Sequence, residues 1–216
     1  MKEINQVVKT FNSIVCTRRS TRKFTPEIPA PDKMNDILQS AIFAPFGGAT
    51  GIPLKEIRTI SVFSQNTEQI NRARELLFSQ IRRRARIMSI VLMLFPFLRK
   101  RMQSFANRLS RLAQNGIPGL TEGAYYIVIA EKKGFPPVEK QSISHAMQNM
   151  WLSATAHDLG FQLISATGMM SKNKEFMQLL GLKAGDYAID GCVIGVPKKA
   201  PQARKRRQIE DFVTWI

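Results

Sequence analysis

Two apolar runs constrain this chain more than anything else in it. Ala124-Tyr125-Tyr126-Ile127-Val128-Ile129-Ala130 is too β-branched and aromatic for a loop, so it predicts a buried strand, closed off by Pro136 and Pro137. Ala188-Ile189-Asp190-Gly191-Cys192-Val193-Ile194-Gly195-Val196-Pro197 predicts a second core strand. Between them, Ser153, Ala154 and Ala156 are small residues of the kind that suit close helix contacts.

The remaining elements follow from spacing. Ile4, Val7, Val8, Phe11, Ile14 and Val15 recur at helical intervals over residues 3–16. Pro26, Pro29 and Pro31 mark an extended loop, because each proline fixes its own φ and restricts its predecessor. A helix is expected from about Asp32, a cap or first-turn acid, to Ala44. Residues 57–63 read as a strand. Phe161–Ala166 reads as another, ending in Thr167-Gly168-Met169-Met170, with Ser171 expected to cap a short helix over Lys174–Leu180 closed by Gly181.

Charge is the next constraint. The chain has 216 residues, the length of one domain, and a net charge of +16, which calls for an anionic partner. Arg72, Arg74, Arg82, Arg83, Arg84, Arg86, Arg99, Lys100, Arg101, Arg108 and Arg111 crowd one stretch with only Glu75 against them. Within it lies the apolar run Ile87–Leu98, too short to span a bilayer. It reads either as a helix on an anionic membrane surface or as a lid or dimer-interface helix packing on the protein. Pro96 should end or kink it, and Arg101–Ala113 should form a second, amphipathic helix.

Near the N-terminus, Arg18-Arg19-Ser20-Thr21-Arg22-Lys23-Phe24 gathers three arginines and a hydroxyl. Arginine's planar fork gives two parallel hydrogen bonds to two phosphate oxygens, so this is a candidate phosphate site; a solvated basic turn is the plain alternative. The opening resembles the signature of the nitroreductase family, homodimeric flavoproteins holding FMN without a covalent bond. Three further stretches fall where that family has its own. Ala44-Pro45-Phe46-Gly47 with Pro53 resembles its Ala-Pro-Ser-Gly loop, although Phe46 replaces the serine and Ala49 stands at the asparagine position. Gln148-Asn149 and the Leu159-Gly160 turn resemble its central helix, with His157-Asp158 where members have Leu-Gly. Arg204 and Arg206, ahead of Glu210-Asp211, resemble its C-terminal basic pair.

The resemblance implies an α+β, nitroreductase-like fold: a central mixed, mostly antiparallel sheet flanked by helices. It also implies a homodimer whose C-terminal extension packs on the partner. Residues 1–216 would form one such domain, with a basic and apolar helical insertion at about 66–118. Arg18, Ser20, Arg204 and Arg206 would bind the FMN phosphate, Arg19 would belong to the same cofactor-binding segment, and Arg22 would sit near the pyrimidine edge. Pro45, Phe46 and Gly47 would reach a flavin bound mainly by the other subunit. Ser165, Thr167 and Gly168 would border flavin N5 through their backbone. The activity implied is ping-pong transfer of hydride from NADH or NADPH through N5 to a flat nitroaromatic- or quinone-like acceptor, with no catalytic side chain and no metal.

Two other classes stay open: a basic module for an anionic membrane surface or nucleic acid, and a flavin-binding fold without turnover. Against nucleic acid, neither an aromatic-rich strand pattern nor a helix-turn-helix accompanies the charge. Cys192 reads as a small buried hydrophobe, and Cys16 and Cys192 have no disulfide or zinc spacing. His145 and His157 are more than three helical turns apart and read as surface or cap residues. The N-terminus does not read as an ordinary signal peptide, so the expected location is cytoplasmic, with residues 81–113 as the segment for any peripheral membrane contact.

Overall fold

A computed structural model of the chain describes residues 2–47, 51–201 and 208–216. The helices are α1 (Lys2–Thr17), α2 (Pro31–Ile42), α3 (Leu54–Ile57), α4 (Glu68–Leu94), α5 (Arg99–Asn115), α6 (Glu139–Ala156) and α7 (Lys174–Leu179). The strands are β1 (Arg58–Ser64), β2 (Tyr125–Lys132), β3 (Gly160–Leu163) and β4 (Tyr187–Gly195). They form one antiparallel sheet in the order β1-β2-β4-β3, with Phe63 opposite Tyr126, Ile127 opposite Cys192 and Phe161 opposite Ile194. A parallel bridge between Ser20 and Phe161 makes the pairing mixed. The architecture is α+β, as expected from the sequence.

The sheet is buried on both faces, which is why β2 reads as a continuous apolar run and not as an alternation. Tyr126, Val128 and Ala130 pack with Phe63, Ile70, Leu77, Phe176 and Met177 on the α4 and α7 side. Ile127 and Ile129 pack with Ile37, Ala41, Ile143 and Met150 on the α2 and α6 side, where Cys192 is fully buried. A third, smaller cluster of Ile81, Ala85 and Leu109 joins α4 to α5.

Several local expectations need correction. β3 stops at Leu163, and Ser165–Met170 is a 3-10 helix, not the end of a strand. The Ile164 amide donates to the Gly191 carbonyl at 2.7 Å, and the Thr167 amide then closes onto Ile164 at 2.9 Å, which turns the chain. The cap of α7 is Asn173, whose Oδ1 accepts from the Phe176 amide at 2.9 Å; Ser171 does not cap it. The apolar run Ile87–Leu98 is not a separate helix. It is the last turns of the 27-residue α4 plus the 3-10 turn Pro96–Leu98 that Pro96 opens.

His145 is exposed and His157 closes α6, its Nε2 3.1 Å from Asp36 Oδ2. Asp158 follows at φ +58°, a left-handed conformation that aspartate tolerates better than most residues. None of the described helices is long and apolar enough to cross a membrane.

Candidate cofactor site

The basic N-terminal segment is held as a ribbon beside the sheet. The Thr21 amide donates to the Phe161 carbonyl at 2.9 Å, the Phe24 amide to Glu122 Oε2 at 3.1 Å and the Thr25 amide to the Val196 carbonyl at 2.8 Å. Gly160 permits this approach. A Cβ there would stand 2.6 Å from Thr21 Cγ2 and 2.8 Å from Phe24 Cε1, closer than packed atoms allow.

Arg18 leaves α1 and lies 4.2 Å over the centroid of the Trp151 ring. Trp151 in turn stacks on Phe161 at 4.9 Å, with the planes 16° apart, and its Nε1 donates to the Arg19 carbonyl at 3.2 Å. Burial, and then the neighbouring Arg19, push the Arg18 guanidinium below its ordinary value. It remains a cation, because arginine starts so high. Among the described residues no carboxylate pairs with the Arg18 guanidinium, so an anion would relieve its repulsion from Arg19.

Arg22, four residues along, lines a cleft of about 450 Å³ together with Arg108, Arg111, Gln162, Ser165 and Ala166. A second space of about 610 Å³ between α4 and α5 adjoins it and shares Arg108, Leu112, Ser165 and Ala166. Among the described residues, no acidic side chain lines either space. Gln162 is buried, and its Oε1 has no hydrogen-bond partner among the described residues. That oxygen lies against Gly119, where an added Cβ would overlap it.

The other expected site residues are placed apart from that cleft. Thr167 is fully buried, its Oγ1 2.7 Å from the Tyr126 hydroxyl, and Gly168 lies just beyond it; the cleft wall is Gln162–Ala166 instead. Pro45, Phe46 and Gly47 follow α2 near the opposite edge of the sheet. There the Pro45 carbonyl accepts from Arg58 Nη2 at 3.1 Å, and a Cβ on Gly47 would meet Val138 Cγ2 at 2.7 Å. Arg204 and Arg206 lie outside the described residues.

Sequence reasoning missed three contributors. Trp151 has one available signal in the sequence, an indole amid small residues. Gln162 sat unnoticed in an apolar strand. Arg58 is 6% exposed, paired to Glu131 Oε1 at 2.6 Å, and donates to the carbonyls of Ala41 at 2.6 Å and Ala44 at 3.1 Å, which fixes the end of α2 and the start of the Pro45 loop.

The comparisons agree with this architecture. The family model described as Nitroreductase family matches residues 15–196. The chain belongs to the nitroreductase family. It is an oxidoreductase by family. Among solved structures, a BluB-like flavoprotein from Clostridium difficile 630 is 17% identical, with a TM-score of 0.70 over 95% of this chain and 98% of that one. A nitroreductase with bound FMN from Bacteroides fragilis NCTC 9343 is 14% identical, with a TM-score of 0.69 over 95% and 98%. A nitroreductase with bound FMN from Desulfitobacterium hafniense DCB-2 is 18% identical, with a TM-score of 0.67 over 96% and 98%. At these identities the likeness concerns the fold. None of the curated proteins compared with the chain matches it.

Proposed function

We propose that this nitroreductase-family protein is an FMN-dependent oxidoreductase that takes electrons from NADH or NADPH and reduces a flat organic acceptor. The observation that carries the reading is the acid-free cleft in which Arg22 shares the walls with Gln162, Ser165 and Ala166. Its donor set fits FMN. The flavin's pyrimidine edge carries two carbonyls beside an imide N–H, and the cleft wall supplies the Arg22 guanidinium as a donor.

Arg18, Arg19 and Ser20 would hold the phosphate, with Arg204 and Arg206 returning from the C-terminal side. Trp151 orients Arg18 through the ring contact, so the guanidinium keeps its direction before ligand arrives. When bound, FMN supplies the two-electron chemistry between donor and acceptor, and no side chain need act as nucleophile or base. Arg22 contributes a fixed positive charge that favours negative charge developing in the cleft. Ser165 and Ala166 offer backbone at the wall shared by both spaces, and Thr167 holds that turn in place through Tyr126. The adjoining space of about 610 Å³ has the size of a small-molecule site and is where an acceptor would enter.

A homodimer belongs to the same reading. Val7, Val8 and Phe11 of α1 and Phe212, Val213 and Trp215 of the C-terminal segment are exposed, Trp215 at 91%, and a second copy would cover them. It would also bring a partner's Pro45–Gly47 loop toward the cleft.

The test is the visible spectrum of the purified protein, followed by release of the chromophore. Oxidised-flavin maxima, FMN in the supernatant after denaturation, and oxidation of NADH or NADPH dependent on an added quinone are the expected results. A colourless protein that takes up no added FMN overturns the reading.

A further inference from the structure

We propose that the tip of the α4–α5 hairpin is a docking element for an anionic lipid surface. From Leu76 to Thr121 the chain carries nine lysines and arginines and no acidic residue. The base of the hairpin is packed, with Ile81 and Leu109 buried, but its tip is apolar and in water. Ile90, Met93, Leu94 and Phe95 are exposed, and Phe97 is 77% exposed. Phe95 and Phe97 meet edge to face at 6.0 Å, so the tip presents a small aromatic wedge and not scattered single residues.

Flanking charge makes the choice of partner. Arg86 precedes the apolar tip and Arg99, Lys100 and Arg101 follow it, all exposed. At 1.5 Å per residue, Ile90 to Leu94 covers about 6 Å along the helix, the depth to which interfacial helices sink below lipid headgroups. The arginines on either side would then lie at headgroup height, where anionic lipid attracts each of them. A second copy of this chain is a poorer occupant. A twofold contact through the tip would set one basic cluster against its equal, with no acid between Leu76 and Thr121 to offset it. Nucleic acid would satisfy the arginines but leave the aliphatic side chains of Ile90, Met93 and Leu94 in water, since these offer no face for stacking bases.

The experiment is co-sedimentation of the full-length, flavin-supplemented protein with phosphatidylglycerol-containing vesicles and with pure phosphatidylcholine vesicles. A Phe95→Ser/Phe97→Ser variant and an Arg99→Gln/Lys100→Gln/Arg101→Gln variant are run beside it. Unaltered protein should bind the anionic vesicles and not the neutral ones, and each variant should bind about ten-fold or more weakly. Both variants change exposed residues and should keep the far-ultraviolet circular dichroism and melting temperature of the parent. No binding to anionic vesicles overturns the proposal. So does binding that the phenylalanine substitutions leave intact, which would be charge attraction without insertion. A change of oligomeric state in either variant would make the tip a contact between copies, and duplex DNA binding that competes with vesicles at equal affinity would make it a polyanion site; each also overturns it.

Discussion

The Arg18 guanidinium lies 4.2 Å from the centroid of the Trp151 ring, and the same indole stacks on Phe161 of β3. One aromatic side chain on α6 therefore links the candidate phosphate arginine to the edge of the sheet. Trp151→Ala should remove both the ring contact and the hydrogen bond to the Arg19 carbonyl, weakening FMN binding about ten-fold, whereas Trp151→Phe should weaken it by less. Arg18→Ala should weaken it further, by about a hundred-fold, because a charge-assisted phosphate contact goes with it. Titration of flavin fluorescence separates the three. Equal affinity in Trp151→Ala and the parent would show that the indole does not orient the arginine.

Arg58 and Glu131 make a different prediction. The pair is buried at 2.6 Å, and the same guanidinium holds the carbonyls of Ala41, Ala44 and Pro45. Burial pushes the Glu131 carboxyl up and Arg58 acts against that rise. Arg58→Ala leaves the buried Glu131 carboxyl without its cation and takes this donor from the Ala44 and Pro45 carbonyls, while the Ala41 carbonyl keeps the Ala44 amide at 3.3 Å, so it should cost about 3–5 kcal/mol in urea unfolding. Arg58→Lys keeps the charge but not the fork and should recover only part of the loss. Full recovery by lysine would mean that the planar fork contributes little.

How far the sequence could be read depends on where the information sits. β2 and β4 were legible because strands buried on both faces are apolar over most of their length, Tyr126–Ala130 and Cys192–Ile194 among them. The basic segment Arg18–Arg22 stands out in the sequence as a candidate anion site because arginine chemistry is local. The turn at Ser165–Met170 does not, since Ser165, Ala166 and Thr167 have no period and their path is fixed by contacts to Tyr126 and Gly191 elsewhere in the chain. Arg58 was hidden for the same reason: an arginine in a strand reads as solvent-facing until the register places Glu131 opposite it.

Asp190 sets a pH dependence. It stands on β4 opposite Ile129, and its Oδ1 accepts from the Gly191 amide at 2.8 Å. Burial raises its carboxyl from 3.8 to about 6. A raised acid binds its proton in the folded state after the unfolded chain has lost it. Stability from this group is therefore full below about pH 4, falls as pH rises, and is lost above about pH 6, a penalty of up to about 3 kcal/mol. Asp190→Asn keeps the amide contact and removes the charge. It should raise the melting temperature at pH 7, leave it unchanged below about pH 4, and flatten the slope between. A variant that melts below the parent at pH 7 would show that the carboxylate is stabilised by something it contacts only when charged.

Gly160 tests whether the ribbon carrying Arg18–Arg22 must lie flush against β3. An added Cβ would meet Thr21 Cγ2 at 2.6 Å and Phe24 Cε1 at 2.8 Å. Phe24 is 1% exposed and packed in the core, so it cannot yield, and the ribbon must move. Gly160→Ala should cost about 1–3 kcal/mol of stability. The displacement would reach the bridge at Ser20 and Phe161, so FMN affinity should fall in a variant that remains folded at room temperature. Gly168→Ala is the control, because its Cβ would meet only the Ile189 carbonyl, at 3.3 Å, and Gly168 lies outside the cleft wall. Loss of stability in both variants with flavin affinity lowered only in Gly160→Ala is the expected pattern. Flavin affinity lowered equally in both would shift the binding surface from the Gln162–Ala166 wall toward the 3-10 turn that follows it.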